Sequence, residues 1–213
     1  MGAGSNRLAD SRGAAVGGRV SSEDIAEASA EEREALTAAW PRSLIADGSA
    51  PGLAAWWVGS RCEAASRGLP RIARHPLNRA VEGGIFDTRR ARRLVRGLEG
   101  AETLLTAEEA GLKKAAGSQA GANGVRISRL LLVSGDGSER FYRQVERLHE
   151  RFANRLEVLL LDCEEEALGV AAFGPGRRAR ALLINHKDSV VRFLSLLDLG
   201  GGPPIGPRSS RPC

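Results

Sequence analysis

Two groups of side chains in this sequence are of the right type and spacing for chemistry. The first is a carboxylate turn. Asp136 stands in Ser134-Gly135-Asp136-Gly137-Ser138, directly after the apolar run Leu130 to Val133, and Glu139 follows it. A carboxylate that ends a strand and precedes a helix lies where open α/β sheets place ligands. Asp136 and Glu139 together could hold Mg²⁺, because hard cations take carboxylate oxygens and water. Asp87 in GIFDTRR and Asp47 in LIADGS are candidates for a more distant acid. The plain alternative is that Asp136 closes the turn or caps the following helix.

The second group is arginine. In DTRRARRLVRGL, Ala91, Leu94, Val95 and Leu98 fall at i, i+3, i+4 and i+7, while Arg89, Arg90, Arg92, Arg93 and Arg96 occupy the rest of the wheel. That spacing predicts a basic amphipathic helix over 88–98, started by Asp87 or Thr88. No acid lies within it to form i,i+4 pairs, so its cationic face suits phosphate groups as well as solvent. Arg177, Arg178 and Arg180 follow Gly174-Pro175-Gly176 as a second cluster. Neither cluster sits in a GxxxxGK phosphate loop. Ser134 and Ser138 have no GxSxG frame and no neighbouring histidine, which argues against a serine hydrolase. Cys62, Cys163 and Cys213, with His75, His149 and His186, show no metal-ligand spacing, and the cysteines read as reduced thiols of a cytoplasmic protein.

The elements that must position these groups are clearest between Ile127 and Leu161. Leu130 to Val133 and Leu156 to Leu161 are continuous apolar runs of the kind buried on both faces of a sheet. Between them Phe141, Val145, Leu148 and Phe152 define one apolar helical face, so the stretch reads as a βαβ unit. The pattern continues as a helix over 164–172, a strand over 181–184 and a helix over 188–197. Earlier, a helix is expected over 22–40, with Ser29 and Glu32 as a capping box and Pro41 as its stop, and another over 106–116, opened by Thr106 and Glu109. Residues 44–76 are punctuated by Gly, Pro and Ser and read as irregular or weakly helical, with Trp56 and Trp57 as core anchors more readily than as a partner site.

The alternation of strands and helices predicts an α/β fold, a three-layer α/β/α sandwich with a small central sheet. The division expected is a disordered tail over 1–20, a helical or irregular extension over 21–86, the core domain over 87–198 and a disordered tail over 199–213, with 118–124 as an internal linker. With 213 residues and no run near the ~20 apolar residues of a membrane helix, a membrane partner is not expected. The net charge is +5 and the pI about 9.7, mostly from arginine. That excess fits either an anionic partner or an arginine-rich codon usage.

Two families share features with these residues. The order of elements in LLLVSGDGSERFYRQVERLHERF, LEVLLLDCEEEALGVAAFG and GPGRRARALLI resembles the Pelota-type RNA-binding fold of the kink-turn-binding ribosomal proteins, over residues 127–197. This resemblance implies RNA as the partner; joined with the arginine clusters it gives the expectation of a non-catalytic, cofactor-free domain that binds structured RNA, with Arg89, Arg90, Arg92, Arg93, Arg96, Arg177, Arg178 and Arg180 as the phosphate contacts. Leu131 to Val145 also resembles the SGD segment of NYN-type, PIN-like ribonucleases. That alternative implies Mg²⁺-dependent cleavage with Asp136, Glu139 and Asp87 as the acids. A third reading is a protein-interaction module whose arginines dock on an acidic protein partner.

Overall fold

Leu130 to Val133 and Leu156 to Leu161 are buried on both sides, and the rest of the molecule is layered on them. The computed structural model describes residues 22–64, 68–116 and 125–199. In chain order these form α1 (Ser22–Ala39), α2 (Arg42–Ala46), α3 (Ala50–Gly59), β1 (Arg61–Glu63), β2 (Arg71–Pro76), α4 (Arg79–Arg90), β3 (Leu94–Arg96) and α5 (Leu98–Ala116). There follow β4 (Arg129–Ser134), α6 (Glu139–Arg151), β5 (Leu156–Asp162), α7 (Glu165–Phe173), β6 (Ala181–Ile184) and α8 (Lys187–Leu194). The expected tails 1–20 and 199–213, save Leu199, and the whole linker 118–124 lie outside the described residues.

The six strands make one mixed sheet in the order β1-β2-β5-β4-β6-β3. β2, β5 and β4 run parallel, with Ala73 opposite Leu159 and Leu132 opposite Leu159 from the other side. β6 runs antiparallel to β4, and β3 antiparallel to β6. Successive residues of a strand point to opposite faces. Leu130, Leu132, Leu159, Leu161, Leu182 and Ile184 therefore join one core with Trp40, Trp57, Ile85, Leu168 and Phe193. Leu131, Val133, Val158, Leu160 and Leu183 join the other with Leu105, Tyr142, Val145 and Phe152. Helices cover both faces, which gives the expected α/β/α sandwich. Each fully buried leucine contributes about 1.5–3 kcal/mol relative to exposure, so the leucine runs dominate the core.

Several expectations for the first half are corrected. There is no helix over 88–98. α4 ends at Arg90, Arg92 takes a positive φ of 58°, and Leu94 and Val95 pair with Ile184 and Leu183. Leu94 packs on one core and Val95 on the other, the two-residue period of a strand. Asp87 and Thr88 lie in the last turns of α4, whose start is capped instead by Asn78 accepting from the Val81 N–H at 3.0 Å. α5 runs from Leu98, so Thr106 and Glu109 are interior to it, as Ser29 and Glu32 are to α1. Residues 44–76 are not irregular but supply α2, α3, β1 and β2. A core boundary at 86/87 would cut α4, and β2 is hydrogen-bonded directly to β5.

The tryptophans explain how this segment is attached. Trp57 is fully buried and meets Trp40 edge to face at 5.2 Å between centroids. Its indole N–H donates to Glu157 Oε2 at 3.0 Å, and Glu157 is itself buried in β5. Trp56 is only half-buried and stands beside His75.

Candidate functional site

The parallel strands β2, β4 and β5 end on one edge of the sheet, where β6 begins. From β4 the chain passes to α6 on one face; from β5 it passes to α7 on the other. The point where connections diverge in this way is where open sheets form a ligand crevice. Here it lies between Ser134 and Asp162.

Asp136 occupies that point. Its Oδ1 accepts from the Ser134 hydroxyl at 2.7 Å and its Oδ2 from the Glu165 N–H at 3.0 Å. The Gly135 N–H donates to the Cys163 carbonyl at 2.8 Å beside it. Partial burial pushes the Asp136 carboxyl up, but the Ser134 and Glu165 donors and the charge of Arg180 outweigh this and hold it below its ordinary value. Ser138 caps α6 by accepting from the Phe141 N–H, and Tyr142, buried below, donates to the Ser134 carbonyl at 2.9 Å and accepts from the Gly137 N–H. Asp136 is thus a clasp between two loops, with both oxygens engaged. Burial pushes the adjacent Cys163 thiol up to about 12, which leaves it unreactive as a thiolate.

The acids proposed for Mg²⁺ do not assemble around Asp136. Glu139 is exposed in the first turn of α6. Asp87 is ion-paired with Arg192 at 2.9 Å, and Asp47 closes a turn by accepting from Ser49. Among the described residues no group of three or more His, Cys, Asp or Glu side chains is placed to share a metal ion.

The arginines are brought together differently from the expected helical face. Arg96 at the end of β3, Arg178 and Arg180 before β6, and Arg147 and Arg151 on α6 line one groove of about 790 Å³. Glu99, Glu102 and Glu165 share its walls, with Leu98, Phe141 and Ala181. Five guanidinium groups face three carboxylates, so the groove is net positive. Arg96 donates to the Arg178 carbonyl and stacks over Phe173 at 5.5 Å, and Arg89 lies over the same ring at 5.7 Å. Arg151 is tied to Glu102 at 2.9 Å, whereas Arg147 is exposed and has no ion pair among the described residues. Arg90 stacks on the exposed Phe86, Arg92 stands out in the turn, and Arg93 reaches Ser189 at 3.3 Å. These three, with Arg89 and the exposed Arg177, do not line the groove.

Arg147 and Arg151 were the missed members. Their signal was present in α6, whose buried stripe is Tyr142, Val145, Leu148 and Phe152 rather than one beginning at Phe141. With the wheel turned in this way, Phe141, Gln144, Arg147 and Arg151 share the flank that faces the groove.

The loop that carries Arg177 to Arg180 is fixed by its backbone. The Ala179 N–H donates to the Glu165 carbonyl at 2.8 Å and the Ser134 N–H to the Arg180 carbonyl at 3.0 Å. Gly174 and Gly176 supply the positive φ values that turn the chain. On α7, Gly169 lets the Arg177–Arg178 backbone lie against the helix, where a Cβ would collide with it.

No protein-family model matches the chain, and no curated protein does. Similar solved structures include a protein with unknown function from Bacillus halodurans C, 13% identical with a TM-score of 0.38, the match covering 55% of this chain and 95% of that one.

Proposed function

We propose that this chain is a non-catalytic RNA-associated α/β domain whose phosphate contacts lie in the basic groove between α5, α6 and the 174–180 loop. One observation carries the reading: Arg96, Arg147, Arg151, Arg178 and Arg180, from three separated stretches of sequence, converge on one groove at the sheet edge. Guanidinium groups suit phosphate because their planar fork donates two bonds at once. RNA as the source of that phosphate rests on the Pelota-type resemblance of residues 127–197. The cytoplasmic setting rests on the scattered, odd-numbered cysteines of the sequence.

The test is fluorescence anisotropy of a labelled structured RNA at low and moderate salt, with and without Mg²⁺, followed by a gel of the RNA. Binding of intact RNA that weakens steeply with salt is expected, with a slope of about −0.7 to −0.9 per phosphate contact. Absent or salt-insensitive binding would overturn the reading. RNA cut in Mg²⁺ but not by Asp136→Asn would replace it with the ribonuclease.

A further inference from the structure

One carboxylate sits among the groove's arginines. The Glu165 side chain is 21% exposed, and the Arg178 and Arg180 side chains that meet it are 68% and 50% exposed. Glu165 Oε2 lies 2.7 Å from Arg180 Nε, and Oε1 lies 3.7 Å from Arg178 Nη1. The surrounding backbone does not depend on this carboxylate. Glu165 is held by its own N–H to Asp136 and by its carbonyl from Ala179, and the loop by Arg96 at the Arg178 carbonyl. The carboxylate is an oxyanion placed between two guanidinium groups on a frame that exists without it.

Each guanidinium has five N–H donors, more together than the two oxygens of the one Glu165 carboxylate can take up. A phosphate oxygen makes the same kind of charge-assisted bond to arginine as a carboxylate oxygen does. We propose that Arg178 and Arg180 form a phosphate subsite that Glu165 fills in the free chain, so that binding there exchanges one oxyanion for another. The identity of the phosphate as part of an RNA backbone rests on the reading above; the subsite itself does not. The exchange has a consequence for selectivity. A lone phosphate must displace Glu165 with two cations to reward it. A polyphosphate strand gains from Arg96, Arg147 and Arg151 as well. Glu165 therefore favours a polyanion over free phosphate.

The experiment uses the full chain and its Glu165→Gln and Arg180→Gln variants at one fixed salt concentration. Two probes are titrated: inorganic pyrophosphate by calorimetry and labelled structured RNA by anisotropy. Glu165→Gln should tighten pyrophosphate binding roughly two- to fivefold, the factor expected for release of an exposed ion pair. Arg180→Gln should weaken it. Pyrophosphate binding that is unchanged or weaker in Glu165→Gln, at an unchanged melting temperature, overturns the subsite whatever RNA does. Tightening with pyrophosphate while no variant binds RNA upholds the subsite and removes the RNA reading. Should Glu165→Gln melt early, the carboxyl carbon signal of Glu165 in the unmutated chain decides. A saturable shift on adding pyrophosphate upholds the exchange, and an unmoved signal overturns it.

Discussion

Gly169 on α7 is in register with the carbonyl of Arg177, and the absence of a side chain is what allows the two to touch. The arginine loop is thereby seated on a helix rather than left to solvent. Preorganised donors bind better because less ordering remains for the moment of contact. Gly169→Ala should push the Arg177–Arg178 backbone away. RNA affinity is expected to fall roughly three- to tenfold with every charge retained. Stability should drop by about 1–3 kcal/mol, the usual effect of overpacking. Anisotropy and urea unfolding measure the two separately.

Arg147→Ala tests the groove with little risk to the fold. The side chain is exposed and makes no ion pair among the described residues, so stability should stay within about 0.5 kcal/mol. The salt slope of RNA binding should shrink by about 0.7–0.9, the share of one phosphate contact. An unchanged slope would remove Arg147 from the interface.

Asp136 sets part of the acid limit. Its carboxyl is held below the ordinary value, so the stability it adds is fully present above the unfolded carboxylate pKa of about 3.9 and is lost as the pH falls through the folded value. Asp136→Asn should lower the urea midpoint at pH 6. The difference from the parent protein should narrow below pH 4. The same variant serves as the control for RNA cleavage.

Trp57 and Glu157 form a buried pair, and removing the indole donor leaves the carboxylate short of a partner. Trp57→Phe should cost about 1–3 kcal/mol for that lost bond to a carboxylate, whose Oε2 keeps only the Val158 N–H at 3.3 Å, on top of the packing lost against Trp40. A urea titration followed by far-UV dichroism reads the loss.

The run from β4 to α8 was legible because its strands are leucine-rich and its helices open on polar residues such as Ser138. The 88–98 stretch misled for a physical reason. Leu94 and Val95 are adjacent, and adjacency fits a helical i+3, i+4 pair as well as a strand that buries both faces. Arg92, the residue that breaks the helix, adopts its positive φ without being glycine or asparagine. The Asp136 turn was legible as a turn, but not its bond to Glu165, because that partner comes from another loop. The groove was half legible. Its arginines were visible as clusters, whereas the addition of Arg147 and Arg151 needed the rotation of α6 and the antiparallel placing of β6.

The strand order also governs the timetable of synthesis. β2 leaves the ribosome before α4, β3, α5, β4 and α6, yet the neighbour it pairs with in parallel, β5, is made only after all of them. The early tryptophan segment must therefore wait, with Trp40 and Trp57 lacking most of their burial partners, until the later leucine strands arrive. Pairings this distant along the chain are slow to form and leave apolar surface exposed meanwhile. A nascent chain stalled before Leu156 would present that surface to chaperones, and a fragment ending at Arg90 would have no sheet to join.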